Sequence, residues 1–317
     1  MVIEALRRAS DKLQWFHNKS SFDRIARRVR NTRPLELYGD SPIFLSMVSR
    51  QDLNAYLLAI KSLYRGVGQG RVVVINERSF VNQHSLNSED MAILNYHVPG
   101  IEVIDLAGIS TGCCPRGGTW ERLVKIVELS ADNYVIQADA DTLVSKPISE
   151  VVQCWRENRS FLMGTRFGQQ ISTAAETAGM VRAWIKEHGW GFLPLCVIAE
   201  ASLDQLAGAA HLPYVHASSG FAGFARGAFA LADLECFSEN MIKLLGTDRW
   251  NEWGSEQISS NYMLANAPGA AVLPVPKYSC FEPHVNPADA AVLHFIGQYR
   301  YYKGIYGRRA AKFIEHY

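Results

Sequence analysis

Residues Tyr134 to Lys146 read YVIQADADTLVSK, an apolar run that ends in two aspartates one residue apart, Asp139 and Asp141. The run has the β-branched character of a buried strand. Carboxylates beside such a strand are costly unless something pairs with them. Residues two apart in an extended segment lie on one side, so both aspartates can converge on one object, and the small Ala140 leaves room for it. Two hard oxygen donors suit Mg²⁺ or Mn²⁺, which also accept water and phosphate oxygens. An Asx turn or a helix N-cap after the strand is the alternative, and the pair alone does not separate the two.

Upstream, strands and helices alternate. PIFLSMVS (42–49), RVVVINE (71–77) and IEVIDL (101–106) read as apolar strands, with YVIQADAD as the fourth. Between them, DLNAYLLAIKSLYR (52–65) reads as a helix with Asp52 near its N-cap. SEDMAILNYHV (88–98) reads as a helix opened by Ser88, and TWERLVKIVELS (119–130) as one capped by Thr119. This alternation predicts an α/β fold with a mostly parallel central sheet and helices on both faces. Ligands of such sheets bind outside the carboxyl ends of the strands, where the aspartates fall. Residues 166–215 break the rhythm with a helix at 174–188, the turn GWGF (189–192) and a mixed apolar segment. They read as an insertion on a single domain.

The 317 residues are 48% hydrophobic and 20% charged, ordinary for one large globular domain with a sizeable core. A net charge of +1 gives the whole chain no electrostatic pull on nucleic acid. Residues 1–33, however, carry nine Lys/Arg against three acids. Ile3, Leu6, Leu13, Trp15, Phe16, Phe22, Ile25 and Val29 recur there loosely at helical intervals. Residues 1–40 therefore read as a basic helical arm before a domain at 41–317. The arm either meets an anionic membrane surface or packs on the domain with a solvated basic face. The packed reading is preferred, because charge runs are usually solvated faces. Six cysteines, at 113, 114, 154, 196, 236 and 280, form no CxxC or zinc spacing, and most lie in apolar surroundings. With no signal-peptide core and no apolar run of about 18 residues, the expected location is the cytoplasm, with the inner face of a membrane as the arm's alternative.

Three downstream clusters complete the pattern: HASSGFAGFARGAF (216–229), WNEWGSEQISSNYML (250–264) and AVLHFIGQYRYYKGIYG (291–307). With them the chain resembles GT-A (nucleotide-diphospho-sugar transferase) glycosyltransferases, in pattern glycosyltransferase family 8. The DxD of that family matches Asp139-Ala140-Asp141, and its N-[SA]-G turn matches Ser218-Ser219-Gly220. Its DQDxxN element matches Glu256-Gln257-Ile258-Ser259-Ser260-Asn261, and its HFxGxxK matches His294-Phe295-Ile296-Gly297-Gln298-Tyr299-Arg300. Order and rough spacing agree over residues 42–304. The departures are Ser218 for Asn, Glu256 for Asp, Ile258 for the third acid, Arg300 for Lys, and Tyr301-Tyr302 for Pro-Trp. They leave the acceptor and the stereochemical outcome open. A haloacid-dehalogenase phosphatase, which also uses DxDx[TV], fits poorly, because Leu143 stands where Thr or Val is required and no later acidic motif follows.

The resemblance implies a metal-dependent hexosyltransferase that moves a sugar from a nucleoside-diphosphate sugar to a carbohydrate, lipid-linked or protein hydroxyl, with retention favoured. It implies Mn²⁺ (or Mg²⁺) held by Asp139, Asp141 and His294; outside the resemblance, His294 reads as a strand-end histidine bonded to backbone. Arg300 or Lys303 is expected at the phosphates, with Gly297 allowing close backbone approach; the alternative is an exposed basic tail. Val48, Ser49, Arg50, Asn76 and Glu77 fall where the fold holds a nucleoside; Asn76 and Glu77 can reach base or ribose edges, and otherwise serve a turn. Arg122 and Lys125 are candidates for sugar or phosphate contacts, and Ser219 and Gly220 for the donor. Glu256 and Gln257 are expected to border sugar and acceptor: Glu256 is the base if the reaction inverts, whereas Gln257 only positions the sugar if it retains. Trp190, Phe192, Trp250 and Trp253 stack on sugars or fill the core. A sugar-phosphate nucleotidyltransferase would want a Gly-rich loop after the first strand, but SRQDLNAY has no glycine. A non-catalytic nucleotide-sugar-binding relative is opposed by the intact DxD and HFxG.

Overall fold

The structure, a computed structural model, describes residues 2–76, 85–189 and 191–317, of which residues 2–10 as backbone alone. Glu77, Trp190 and the side chains of Ile3, Leu6, Arg7 and Arg8 lie outside the described residues. Helix α1 (Val2–Arg27) leads to strand β1 (Ile43–Val48). Then α2 (Leu53–Val67), β2 (Arg71–Asn76), α3 (Ser88–His97), β3 (Glu102–Asp105), α4 (Trp120–Ser130) and β4 (Val135–Ala138) alternate. After the acidic turn come β5 (Thr142–Val144), α5 (Ser149–Arg156) and β6 (Phe161–Gly164). The 166–215 region holds β7 (Ser172–Thr173), α6 (Ala174–His188), α7 (Leu195–Ala201) and β8 (Pro213–Tyr214), and β9 (Ala217–Phe224) follows it. The last third supplies α8 (Leu231–Leu245), α9 (Thr247–Trp250), α10 (Ser255–Ala265), β10 (Ala271–Leu273), β11 (Tyr278–Cys280), β12 (Val292–His294) and α11 (Ile305–Glu315).

The strand sequences explain the layers. In β1, Ile43 and Leu45 enter one apolar core while Phe44 and Val48 enter the other, and β2 divides Val73 and Ile75 from Val72 and Val74 in the same way. A strand apolar at every position must be covered on both faces. Residues from α2, α3, α5 and α11 cover one face, and residues from α4, α8 and α10 the other. The main sheet has the order β10-β6-β9-β4-β1-β2-β3. Every neighbouring pair is parallel except those of β9, which runs antiparallel to both β4 and β6. A second sheet, β11-β12-β5, brings the C-terminal third against the acidic turn.

Several local expectations change. The cap of α3 is Asn87, not Ser88: its side chain accepts from the Asp90 amide while the Asp90 carboxylate accepts from the Asn87 amide. Thr119 stands at the start of α4 with φ +75° and makes no capping bond. Asp52 likewise caps nothing, because its carboxylate takes Ser49 and Arg300. Residues 218–220 are not a turn but the interior of β9, a strand buried throughout. Of the six cysteines, all free, only Cys114 and Cys154 are fully buried, and burial pushes the Cys114 thiol up to about 12.

Helix α1 packs on the domain through its second half. Phe22 stacks on Tyr306 at 4.0 Å, and Phe22, Ala26 and Val29 are core residues. Burying Phe22 and Val29 contributes roughly 1.5–3 kcal/mol each. Nearer the start, Leu13 and Phe16 are 71% and 53% exposed. Among the described residues no helix is long and apolar enough to cross a membrane.

Candidate active site

The acidic turn is closed by backbone, not by its carboxylates. The Asp139 amide donates to the Gly220 carbonyl at 2.8 Å, and the Thr142 amide and hydroxyl donate to the Asp139 carbonyl at 3.1 and 2.9 Å. The Asp141 carbonyl accepts from the Phe295 amide at 2.9 Å. Both side chains are thereby left for other partners, and the Asx-turn alternative falls away. Asp141 Oδ1 lies 3.1 Å from His294 Nε2, and Asp139 Oδ2 lies 3.5 Å from the same nitrogen. One ligand atom from each of the three residues falls within 4.8 Å of the others.

Each member of this cluster is oriented from behind. Arg122 Nη1 binds Asp139 Oδ1. Arg300 Nε lies 3.8 Å from Asp141 Oδ2, while its Nη2 donates to Asp52 Oδ1 at 2.7 Å. His294 Nδ1 is 3.1 Å from the Ser218 hydroxyl and 3.9 Å from Cys280 Sγ. An imidazole held at one nitrogen and aimed at carboxylates with the other has the arrangement of a ligating histidine. Gly220 makes it possible: a Cβ there would stand 1.9 Å from His294 Cε1. Burial opposes ionisation of Asp139, but Arg122 and then His294 outweigh it and hold the carboxyl at about 2. Burial also opposes charge on His294, yet Asp141 and Asp139 carry its pKa well above the ordinary value. Two oxygens and one imidazole nitrogen, all oriented, fit a hard or borderline divalent ion.

Arg122 joins this cluster to α10. Its Nη2 lies 3.3 Å from Glu256 Oε1, and both side chains are almost wholly buried. Glu256 Oε2 also accepts from the Thr119 hydroxyl at 2.9 Å and the Ser219 hydroxyl at 3.4 Å. Burial raises the Glu256 pKa, and Arg122 partly offsets it. Lys125 pairs with Glu128 one turn along the same helix. Gln257, only partly buried, lines a cleft of about 200 Å³ that Ser218 and Cys280 share.

At the carboxyl ends of β1 and β2, Val48 is fully buried, the Ser49 hydroxyl donates to Asp52, and Arg50 Nε lies 3.2 Å from Asp90. Asn76 Oδ1 accepts from the Leu86 amide at 3.0 Å. Gly297 takes φ +52° with open space beside it, so its backbone angle rather than crowding calls for glycine. Lys303 is exposed, its ammonium 5.3 Å from the centre of the Tyr302 ring. Trp250 is core, edge-on to Trp120 and Phe237, whereas Trp253 and Phe192 are 75% and 93% exposed.

One polar group escaped the sequence reading. Glu200, 1% exposed, accepts from the Tyr214 hydroxyl at 2.9 Å and meets His216 Nδ1 at 2.8 Å. Its signal was a lone acid in the apolar run LPLCVIAEA (193–201), which a buried strand or helix tolerates only with partners.

No protein-family model and no curated protein matches the sequence. Among solved structures, the chain is similar to the galactosyltransferase LgtC, determined in complex with donor and acceptor sugar analogues. Identity is 12% over 87% of this chain and 96% of that one, with a TM-score of 0.50. Mouse xyloside xylosyltransferase 1 also matches, with 10% identity, 80% and 98% coverage and a TM-score of 0.43. Core-mannan synthase A from Aspergillus fumigatus, in its Mn/GDP form, gives 9% identity, 88% and 86% coverage and a TM-score of 0.43. Taken with the sheet order and the acidic turn at its carboxyl edge, the likeness to LgtC shows that the chain has the GT-A fold of nucleotide-sugar glycosyltransferases.

Proposed function

We propose that the chain is a metal-dependent glycosyltransferase that moves a sugar from a nucleoside-diphosphate donor to a hydroxyl acceptor with retention of configuration. The observation that carries this reading is the convergence of Asp139, Asp141 and His294, from distant parts of the chain, within 4.8 Å at the carboxyl edge of a GT-A sheet. A divalent ion held there supplies Lewis-acid neutralisation of charge on a departing diphosphate. The imidazole favours Mn²⁺ over Mg²⁺.

The chain's own groups divide the remaining work. Arg300 adds positive charge on the Asp141 side, and Lys303 and the Gly297 backbone border the same phosphates. Ser49, Arg50, Asn76 and Glu77, with Val48, are assigned to the nucleoside. Glu256 is enclosed by Arg122, Thr119 and Ser219, so it holds Arg122 against Asp139 instead of taking a proton from the acceptor. Gln257, the member of the pair that lines the cleft, positions the sugar. This division favours retention, in which the acceptor proton passes to the leaving diphosphate on the same face. Residues 166–215 form the acceptor side, Trp253 and Phe192 offering exposed faces for sugar rings. The free cysteines suit the cytoplasm, and the exposed Leu13 and Phe16 beside Lys12 suit peripheral contact with an anionic membrane.

The test is a panel of uridine, guanosine and thymidine diphosphate hexoses with Mn²⁺, monitored by release of nucleoside diphosphate. Metal-dependent hydrolysis of one donor class, lost in a folded Asp141→Ala variant, is expected. A panel with no metal-dependent response refutes the reading.

A further inference from the structure

The cleft beside Gln257 is chemically distinct from the carboxylate cluster. His294 separates them: its Nε2 faces Asp139 and Asp141, whereas its Nδ1 meets Ser218 and Cys280, both of which line the cleft. His216, just ahead of β9 and two residues before Ser218, also lines the cleft. Its Nδ1 is fixed by the buried Glu200, which the Tyr214 hydroxyl also holds. The other ring nitrogen remains for whatever occupies the cleft. Phe167 stands edge-on to the ring at 6.0 Å, and the Arg166 guanidinium lies 4.5 Å from the centre of the Phe167 ring. Arg166 lines the cleft and has no ion-pair partner among the described residues. His284 and Glu282 line the cleft as well, with His284 Nδ1 3.3 Å from the Glu282 carboxylate.

We propose that this cleft seats an acceptor sugar carrying an anionic group, a carboxylate or a phosphate, bound by His216 and Arg166. A carboxylate-backed imidazole holds its second nitrogen in a fixed place, an N–H donor when the ring is protonated, and a guanidinium held against an aromatic face keeps its fork free for a second contact. Burial works against charge on His216, but Glu200 outweighs it and raises the pKa, in the direction of the donating form. Glu200 is a positioning residue: it acts on the sugar only through His216. The naming of this sugar as acceptor rests on the glycosyl transfer proposed above, while the seat itself does not.

Binding of glucuronate, glucose 6-phosphate and glucose to the full-length protein is measured by titration calorimetry in the presence of a chelator, so that no ion at Asp139 and Asp141 contributes. Either acid sugar, or both, should bind about tenfold more tightly than glucose. The one preferred identifies the anion. Both His216→Gln and Arg166→Gln should abolish the preference, with circular dichroism and Mn²⁺ affinity unchanged. Glu200→Gln should lower the His216 pKa in an NMR titration and weaken the preference at neutral pH. Equal binding of acid and neutral sugars, no binding of either acid sugar, or a preference that survives both cleft variants overturns the proposal. A failed donor panel with a retained acid-sugar preference would reject glycosyl transfer and leave the seat standing.

Discussion

Replacing Gly220 by Ala tests whether the fold makes room for His294 on purpose. The added Cβ would lie 1.9 Å from Cε1, 2.2 Å from Nδ1 and 2.6 Å from Nε2 of the ring. Carbon atoms rest about 3.5–4.0 Å apart, so something must retreat by about 1.5 Å. The strand cannot easily do so, because the Gly220 carbonyl is bonded to the Asp139 amide and β9 is paired on both edges. The ring therefore yields, and Nε2, now 3.1 Å from Asp141, leaves the cluster. Overpacking of this kind costs roughly 1–3 kcal/mol of stability. Disturbing an orienting contact typically lowers metal affinity by about 10–100-fold. Titration calorimetry with Mn²⁺ on the parent, Gly220→Ala and His294→Ala, with urea unfolding of each, separates the two effects. If Gly220→Ala binds Mn²⁺ as tightly as the parent while His294→Ala does not, the steric argument fails.

Arg122→Met should cost about 3–5 kcal/mol in urea unfolding, because it leaves Glu256 buried without its cation; adding Glu256→Gln should recover part of the loss, and strictly additive costs would contradict the coupling. Burial, and then the charge of Lys61, push His97 down to about 4. The unfolded chain accepts a proton near 6.5 that the folded protein refuses, so this contribution is full above pH 6.5 and is lost as pH falls toward 4, by up to about 3 kcal/mol. His97→Gln should flatten that part of the stability–pH curve, and an unchanged slope would assign it elsewhere. Leu13→Gln combined with Phe16→Gln should weaken co-sedimentation with phosphatidylserine vesicles without altering the unfolding midpoint; equal binding by parent and variant removes the membrane contact. Deleting residues 1–33 would be a poor substitute, since Phe22, Ala26 and Val29 belong to the core.

The sheet was legible because its signals are local. β1, β2 and β4 are mostly apolar and buried at nearly every position, and α6 begins and ends where its sequence pattern does, with Thr173 and Glu176 forming a capping box. What escaped depends on contacts across the chain. Thr119 has the composition of a cap, but Glu256 claims its hydroxyl. Ser218-Ser219-Gly220 suggests a turn, but Gly220 marks where the His294 ring presses against a strand, as Gly223 does for Phe161. The aspartates drew attention as carboxylates beside an apolar run, yet that both are held by arginines followed from no spacing. His216 carried no local signal at all, since its partner sits on a helix of the insertion.

The β5–β12 ladder spans three residue pairs, with His294 opposite Thr142. A slip of one position would turn the imidazole to the other side of the sheet and bring an apolar neighbour in its place. Protein synthesis runs in one direction, so Asp139 and Asp141 emerge with their strand long before that ladder can form. A chain terminated between residues 274 and 293 would carry the acidic turn and the whole main sheet but lack His294. On the metal-dependent transfer proposed above, products ended ahead of His294 would be silent toward the donor rather than partly active.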